Sequence, residues 1–391
     1  MRNALVTSSS FSIHRPRLSA ETRDGQRTAQ SAGKVIALVL ALSAVEASAA
    51  HAAEAASGSF ASVNAQRAAE AGDRQRAIVP VKAPDAASLE VGRSQHQLGL
   101  SYWSQGRSAE AASAFKRALA IYEAALGPDH LQVAQVLDDL GLAERALGHF
   151  AQAETLYKRA LASREKALGP QHNLVGVVLD DLGALYMDQQ RHAEAEPLQK
   201  RALAIAEKTR GPVHPDVAVA LSNLGANYMK LQRPREAEPL LKRALAIREK
   251  TLGPDDLLVR DVLYILAALY SGEGRLAEAE PLLKRALAIS QKVRGPDDPS
   301  VGNALFFLGH LYATKGEAEL AEKFYKRALA LREKTLGRNH PQVGAVLALL
   351  SDLYEKQGRT AEAEALGERV RAIFGPTGLT DPLGAIIGET R

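Results

Sequence analysis

Gly127, Gly169, Gly211, Gly253, Gly295 and Gly337 follow one another at intervals of 42 residues, and each of the first five is followed by proline. A second ladder keeps step with the first. Lys116-Arg117-Ala118-Leu119 recurs from Lys158, Lys200, Lys242, Lys284 and Lys326, and a worn seventh copy begins at Glu368. No insertion or deletion interrupts the register, so each unit must fill an equivalent slot in the fold. A fixed period of this size marks architectures in which each unit covers its neighbour.

Within a unit the apolar spacing is helical. Val133, Leu137, Leu140 and Gly141 recur as Val217, Leu221, Leu224 and Gly225, in steps of three and four that turn one face inward. A break follows at Gly106, Gly148, Gly274, Gly316 or Gly358, with Gln190 and Gln232 in the other two copies. Glycine tolerates the left-handed conformation that ends a helix at least cost. A second helix comes next, as in 237–250, where Glu238 precedes Lys242 by four residues in the favourable order for a surface pair. The same pair stands at Glu154/Lys158, Glu196/Lys200, Glu280/Lys284 and Glu322/Lys326. After the glycine turn, His214-Pro215, Asp298-Pro299 and His340-Pro341 open the next helix, with proline at the first position and the residue before it as N-cap. Hydrophobic residues make up 46% of the chain but aromatics only 5%, so the apolar content is mainly Ala and Leu, which favour helix.

Leu98-Gly99 with Tyr102, Ala111, Phe115 and Ala118 resembles the tetratricopeptide signature. It recurs as Leu182-Gly183, Tyr186, Ala195, Ala202 and as Leu308-Gly309, Tyr312, Ala321, Tyr325, Ala328. The 42-residue period, the Leu-Gly-Pro turn and the Ala-Glu-Pro-Leu-Leu-Lys-Arg-Ala-Leu run from Ala237 and Ala279 are similar to the kinesin-light-chain type of these repeats, common in bacteria. The resemblance implies an all-α fold over residues 86–374, a right-handed superhelical solenoid of seven antiparallel helix pairs. It also implies a concave surface lined by the first helices, and a function in binding proteins. The chain departs from the pattern at Glu144, where other copies have Tyr, at Ala267 and Ser351, which replace the first-helix glycine, and at Gly367, which replaces a large second-helix residue and suits a terminal capping copy.

The residues just before each Leu-Gly pair, and those one turn later, are the expected groove positions. They begin acidic at Asp138, Asp139, Asp180, Asp181 and Asp188, pass Asn223 and Met229, and become apolar around Tyr264, Phe306 and Phe307. A peptide or protein segment with a basic stretch and large apolar anchors would suit such a gradient. Adjacent helical residues point about 100° apart, so Phe306 and Phe307 are not expected to be buried together. The alternative is that these residues only pack between copies, leaving a structural solenoid that self-associates or joins an envelope assembly through its ends or convex side. The Lys/Asn clamp with which some relatives hold terminal carboxylates has no counterpart here.

Residues 1–52 resemble an export leader. Lys34 precedes the apolar run Val35–Val45, and small residues ending in Ala47-Ser48-Ala49 follow, although 34 residues before the apolar core is long for a signal. The expected destination is the bacterial periplasm, with the cytoplasm as alternative and no membrane anchor left after cleavage. Residues 53–85 read as a flexible Ala-rich linker and 375–391 as a loose tail. The formal charge of +4 lies mostly in the leader, where Arg2, Arg15, Arg17, Arg23, Arg27 and Lys34 outnumber Glu21, Asp24 and Glu46, which removes the compositional case for a nucleic-acid partner. The absence of cysteine excludes disulfides and thiolate chemistry. No nucleophile elbow, phosphate loop or His-Glu-x-x-His motif points to an enzyme or a cofactor. His130, His172, His214 and His340 share one register, but copies about 10 Å apart cannot bring them to one metal ion.

Overall fold

The computed structural model describes residues 86–375; the leader, the linker and residues 376–391 of the tail lie outside them. Among the described residues fourteen helices form seven antiparallel pairs and there is no strand. The first helices of the pairs are α1 (Ala86–Ser104), α3 (Leu131–Ala146), α5 (Asn173–Asp188), α7 (Pro215–Lys230), α9 (Leu257–Gly272), α11 (Pro299–Lys315) and α13 (Pro341–Lys356). The second are α2 (Ser108–Leu126), α4 (Phe150–Leu168), α6 (His192–Arg210), α8 (Pro234–Leu252), α10 (Leu276–Arg294), α12 (Ala318–Leu336) and α14 (Thr360–Phe374). Each helix packs on its pair mate, and each second helix except α14 also packs on the first helix of the next copy. The first helices of copies 2 to 5 also approach one another, which puts them on the inside of the curve. No described helix is long and apolar enough to cross a membrane.

The two turns that define a copy have local causes. Gly127 and its five equivalents hold φ between 86° and 92° with ψ between 155° and 162°, a region closed to residues with a Cβ. A Cβ there would touch nothing within 4 Å, so backbone conformation alone demands glycine. At the next helix start, the Nδ1 atoms of His130, His172, His214 and His340 accept from the backbone N–H two residues on, at 3.1–3.2 Å, and Asp256 and Asp298 do the same at 2.8 and 2.9 Å. The histidine register is a set of N-caps.

Inside each pair the first-helix glycine admits a large residue of the second helix. A Cβ on Gly141 would lie 2.7 Å from the Tyr157 ring, and one on Gly309 would lie 2.6 Å from Tyr325. In copy 7 the sizes are exchanged. Ser351 occupies the glycine position, Gly367 faces it, and Ser351 Oγ donates to the Ala363 carbonyl at 2.8 Å. A Cβ on Gly367 would meet only the flexible Arg371 side chain, at 3.6 Å, so packing against α13 does not demand glycine there.

Buried apolar side chains form one continuous core from Val217 to Ala363 and a second from Ala111 to Ala195. Only the small cluster Val175, Leu179, Ala202 and Ile205 lies between them.

Candidate functional site

The residues that repeat in every copy are occupied in holding copies together. Glu154, Glu196, Glu238, Glu280 and Glu322 each accept from a tyrosine hydroxyl 32 residues on, at 2.8–3.4 Å. Each also pairs with the lysine four residues on at 2.6–2.7 Å. Arg191, Arg233, Arg275 and Arg359 complete four of these junctions at 2.7–2.8 Å and stack on the same tyrosines. In copy 6, Glu317 stands at the arginine position and Lys315 supplies the cation, 2.7 Å from Glu280. Arg275 and Lys242 hold the Glu238 carboxyl down at about 2, and Glu280 and Glu322 are held at about 2 by the equivalent cations.

Copy 2 reaches the same charge balance by a different route. Its preceding second helix carries Ala112 at the glutamate position, and Glu144 replaces the tyrosine. Glu144, fully buried, lies 2.6 Å from both Lys116 Nζ and His149 Nδ1, the equivalents of the lysine and the arginine elsewhere. Burial raises its carboxyl, but Lys116 and His149 outweigh that and leave it below the ordinary range. The carboxylate has moved across the interface, and the clamp survives.

Residues that differ between copies line the inside of the curve, and much of the acidic wall is already partnered there. Asp138 is buried and pairs at 3.0 Å with Arg164, which is itself 2% exposed and also donates to the Leu174 carbonyl. Asp139, also buried, meets His96 Nε2 of the first copy at 2.7 Å. Asp188 binds Arg145 at 2.5 Å, and Asn223 Nδ2 donates to Asp180 Oδ2 at 2.7 Å. These last three contacts join first helices of neighbouring copies.

The half-buried carboxyls of Asp180 and Asp181 differ from the rest. Asp180 Oδ1 is enclosed without a hydrogen-bond partner, and Asp181 has neither a hydrogen bond nor an ion pair among the described residues. Burial pushes Asp180 up to about 6 against the Asn223 hydrogen bond and Arg145. Burial, and then the charges of Asp138 and Asp180, push Asp181 well above the carboxylate range. One turn before Asp181 and Asn223 stand Val177 and Val219, the latter 36% exposed. Carboxyls and aliphatic groups thus share one patch on α5 and α7.

The aromatic end is closed. Phe306 is 0% and Phe307 3% exposed, which overturns the expectation that one ring faces the groove. Tyr325 of the pair mate α12 covers Phe306, with ring centroids 6.0 Å apart, and Tyr264 of the preceding copy covers Phe307 at 5.4 Å. Both directions from the helix are walled, so pointing apart does not expose either ring. Tyr264 and Met229 are likewise buried, at 3% and 4%. The Arg332 guanidinium lies 4.9 Å from the Phe306 ring centroid, donates to Asn303 Oδ1 at 3.0 Å, and is pushed down to about 9 by burial. Sequence reasoning did not single out Val177, Val219 or Arg164. The first two were legible as the partly exposed positions four residues before Asp181 and Asn223; the arginine gave no local signal.

Residues 90–166, 174–250, 216–292, 258–334 and 300–374 match the tetratricopeptide repeat family. No curated protein sequence matches the chain. Among solved structures, the nearly identical TPR-like repeats of a kinesin-light-chain-type protein from Podosopora anserina are 28% identical, over 54% of this chain and 99% of that one, with a TM-score of 0.47. The apo quorum sensor NprR from B. thuringiensis is 16% identical over 73% of this chain and 77% of its own, with a TM-score of 0.58. A Rap protein complexed with Competence and Sporulation Factor is 17% identical over 74% and 76%, with a TM-score of 0.54. With repeats matched from residue 90 to residue 374 and the pairing of helices described above, the chain belongs to the tetratricopeptide repeat family.

Proposed function

We propose that this protein is an interaction scaffold that binds a peptide or protein segment on the inner surface of α5 and α7. The observation that carries the reading is Asp181, a half-buried carboxyl without a partner, beside the orphaned Asp180 Oδ1 and the aliphatic Val177 and Val219. A lysine or arginine of a partner would relieve the cost of enclosing those carboxyls, and an adjacent aliphatic side chain would cover the valines. Repeat solenoids offer extended concave surfaces for such segments. The likeness to a Rap protein complexed with Competence and Sporulation Factor is consistent with capture of a partner on this fold.

The expected site therefore narrows to Asp180, Asp181, Asp188 and Asn223, with Asp138 and Asp139 acting from behind. Export to the periplasm remains part of the proposal, since residues 1–52 have the order of an export leader. The test is selection from a random displayed peptide library on the full chain and on Asp181→Lys. Enrichment of peptides with a cation next to an aliphatic residue, lost in the variant, is the expected result. Equal enrichment on both proteins would move the site elsewhere.

A further inference from the structure

The two ends of the solenoid are built differently. Val133, Val175, Val217, Val259, Val301 and Val343 occupy one register position and are at most 1% exposed, because the preceding copy covers them. Val91 holds that position in α1 and is 53% exposed. Leu98 is 36% exposed where its six equivalents are 3% or less. Arg107 stacks on Tyr102 at 4.4 Å and pairs with Glu110, as Arg191 does with Tyr186 and Glu194. The carboxylate of the preceding copy, which completes this clamp at every equivalent arginine, has no counterpart at Arg107 among the described residues. At the other end, α14 is polar. Arg371 stands where Leu161, Leu203, Leu245, Leu287 and Leu329 stand, with the exposed Glu364 and Glu368 on the same helix.

We propose that residues 66–79 of this same chain dock on α1 as a half-copy, with Glu70 filling the empty place of the Tyr102–Arg107 clamp. Glu70 lies two periods before Glu154, at the register of every clamp glutamate, and Arg74 stands four residues on, where the others have lysine. Asp73 and Arg76 fall where Phe115 and Ala118 pack against a first helix. A second helix with no first helix before it needs polar groups at just those positions. Pro80 ends the segment, and residues 80–85 leave a connection of ordinary length to α1. Being tethered, the segment meets α1 at a high effective concentration that a second molecule must match by mass action. Residues 66–79, read from the sequence as part of the Ala-rich linker, lie outside the described residues.

Hydrogen exchange of the α1 amides in the full chain tests it, with Glu70→Arg, Arg107→Glu and the double swap. Each single change should speed exchange several-fold, and the double swap should restore protection, independently of protein concentration. Arg107→Glu alone also repels Glu110, so the rescue is the diagnostic reading. Three outcomes overturn the proposal: no effect of Glu70→Arg, no rescue in the double swap, or protection that rises with concentration and is lost in Glu364→Arg, which would make a second copy of the chain the occupant.

Discussion

The first helices of copies 2 to 4 and those of copies 5 and 6 present the same register positions and put them to opposite uses. In α3, α5 and α7 the two residues before the Leu-Gly pair are Asp138-Asp139, Asp180-Asp181 and Ser222-Asn223; at the same register in α9, before Leu266-Ala267, and in α11 they are Tyr264-Ile265 and Phe306-Phe307. The aspartates meet polar partners, Arg164, His96 and Asn223, and Asp181 is left half-buried without one, at the cost of enclosing charge. Aromatic rings reach across, meet Tyr325 and one another, and become core. A change of chemistry along a solenoid is therefore not by itself a change of ligand surface; the partners each side chain meets decide which positions remain accessible.

The comparison breaks most readily at Phe306. If its ring is core, Phe306→Ala should cost about 3–5 kcal/mol in urea unfolding and leave peptide capture at Asp181 unchanged under native conditions. A loss below about 1 kcal/mol together with lost capture would return the ring to the groove. In the open half the equivalent test is Arg164→Ala, which strands Asp138 in a buried site and should cost about 3 kcal/mol. Asp138→Asn combined with Arg164→Met should cost less than Arg164→Ala alone, since no unpaired charge remains.

What the sequence makes legible is local. The φ of Gly127 and the caps at His130 or Asp298 are decided within a few residues, and the Glu154/Lys158 pair within one turn, so each could be read directly. Tyr186 and Arg191 reach the same glutamate from 32 and 37 residues away, and only the fixed period could have suggested that they meet. The burial of Phe306 and Phe307 depends on the angle between copies, which no single unit encodes. The candidate site shifted for the same reason: Asp138 and Asp139 look like Asp180 and Asp181 in sequence, yet Arg164 and His96 consume the first pair.

Titration separates the two kinds of carboxylate. Folded Asp180 keeps its proton up to about 6, against ~3.9 in an unfolded chain, so the folded state binds the extra proton between those values. Stability from this group is present below about 4 and fades as pH rises to about 6; Asp180→Asn should flatten that slope. The clamp carboxylates run the other way. Glu238, Glu280 and Glu322, held at about 2, contribute above ~4.3 and lose that contribution as pH falls toward 2. Unfolding midpoints measured from pH 3 to pH 7 should thus peak between about 4 and 5, above which Asp180 and below which the clamps lower stability. A steady rise through pH 6 would contradict the enclosure of Asp180.

The smallest expected effect is the sharpest control on the comparison. The clamps are built alike in both halves: Lys158 lies 2.6 Å from Glu154 in the open half, and Lys284 lies 2.7 Å from Glu280 in the packed half, with both lysines more than half exposed. An exposed pair four residues apart on a helix contributes about 0.3–0.5 kcal/mol, and in each case the glutamate keeps its tyrosine and one further cation when the lysine is removed. Lys158→Ala and Lys284→Ala should therefore each cost about 0.3–0.5 kcal/mol and agree with each other within the error of denaturant titration. Agreement confines the difference between the halves to the inner positions of the first helices. A cost several times larger at Lys284 would mean that the packed core also tightens the outer clamps, and the two halves would then differ in rigidity throughout and not only in the surface they offer.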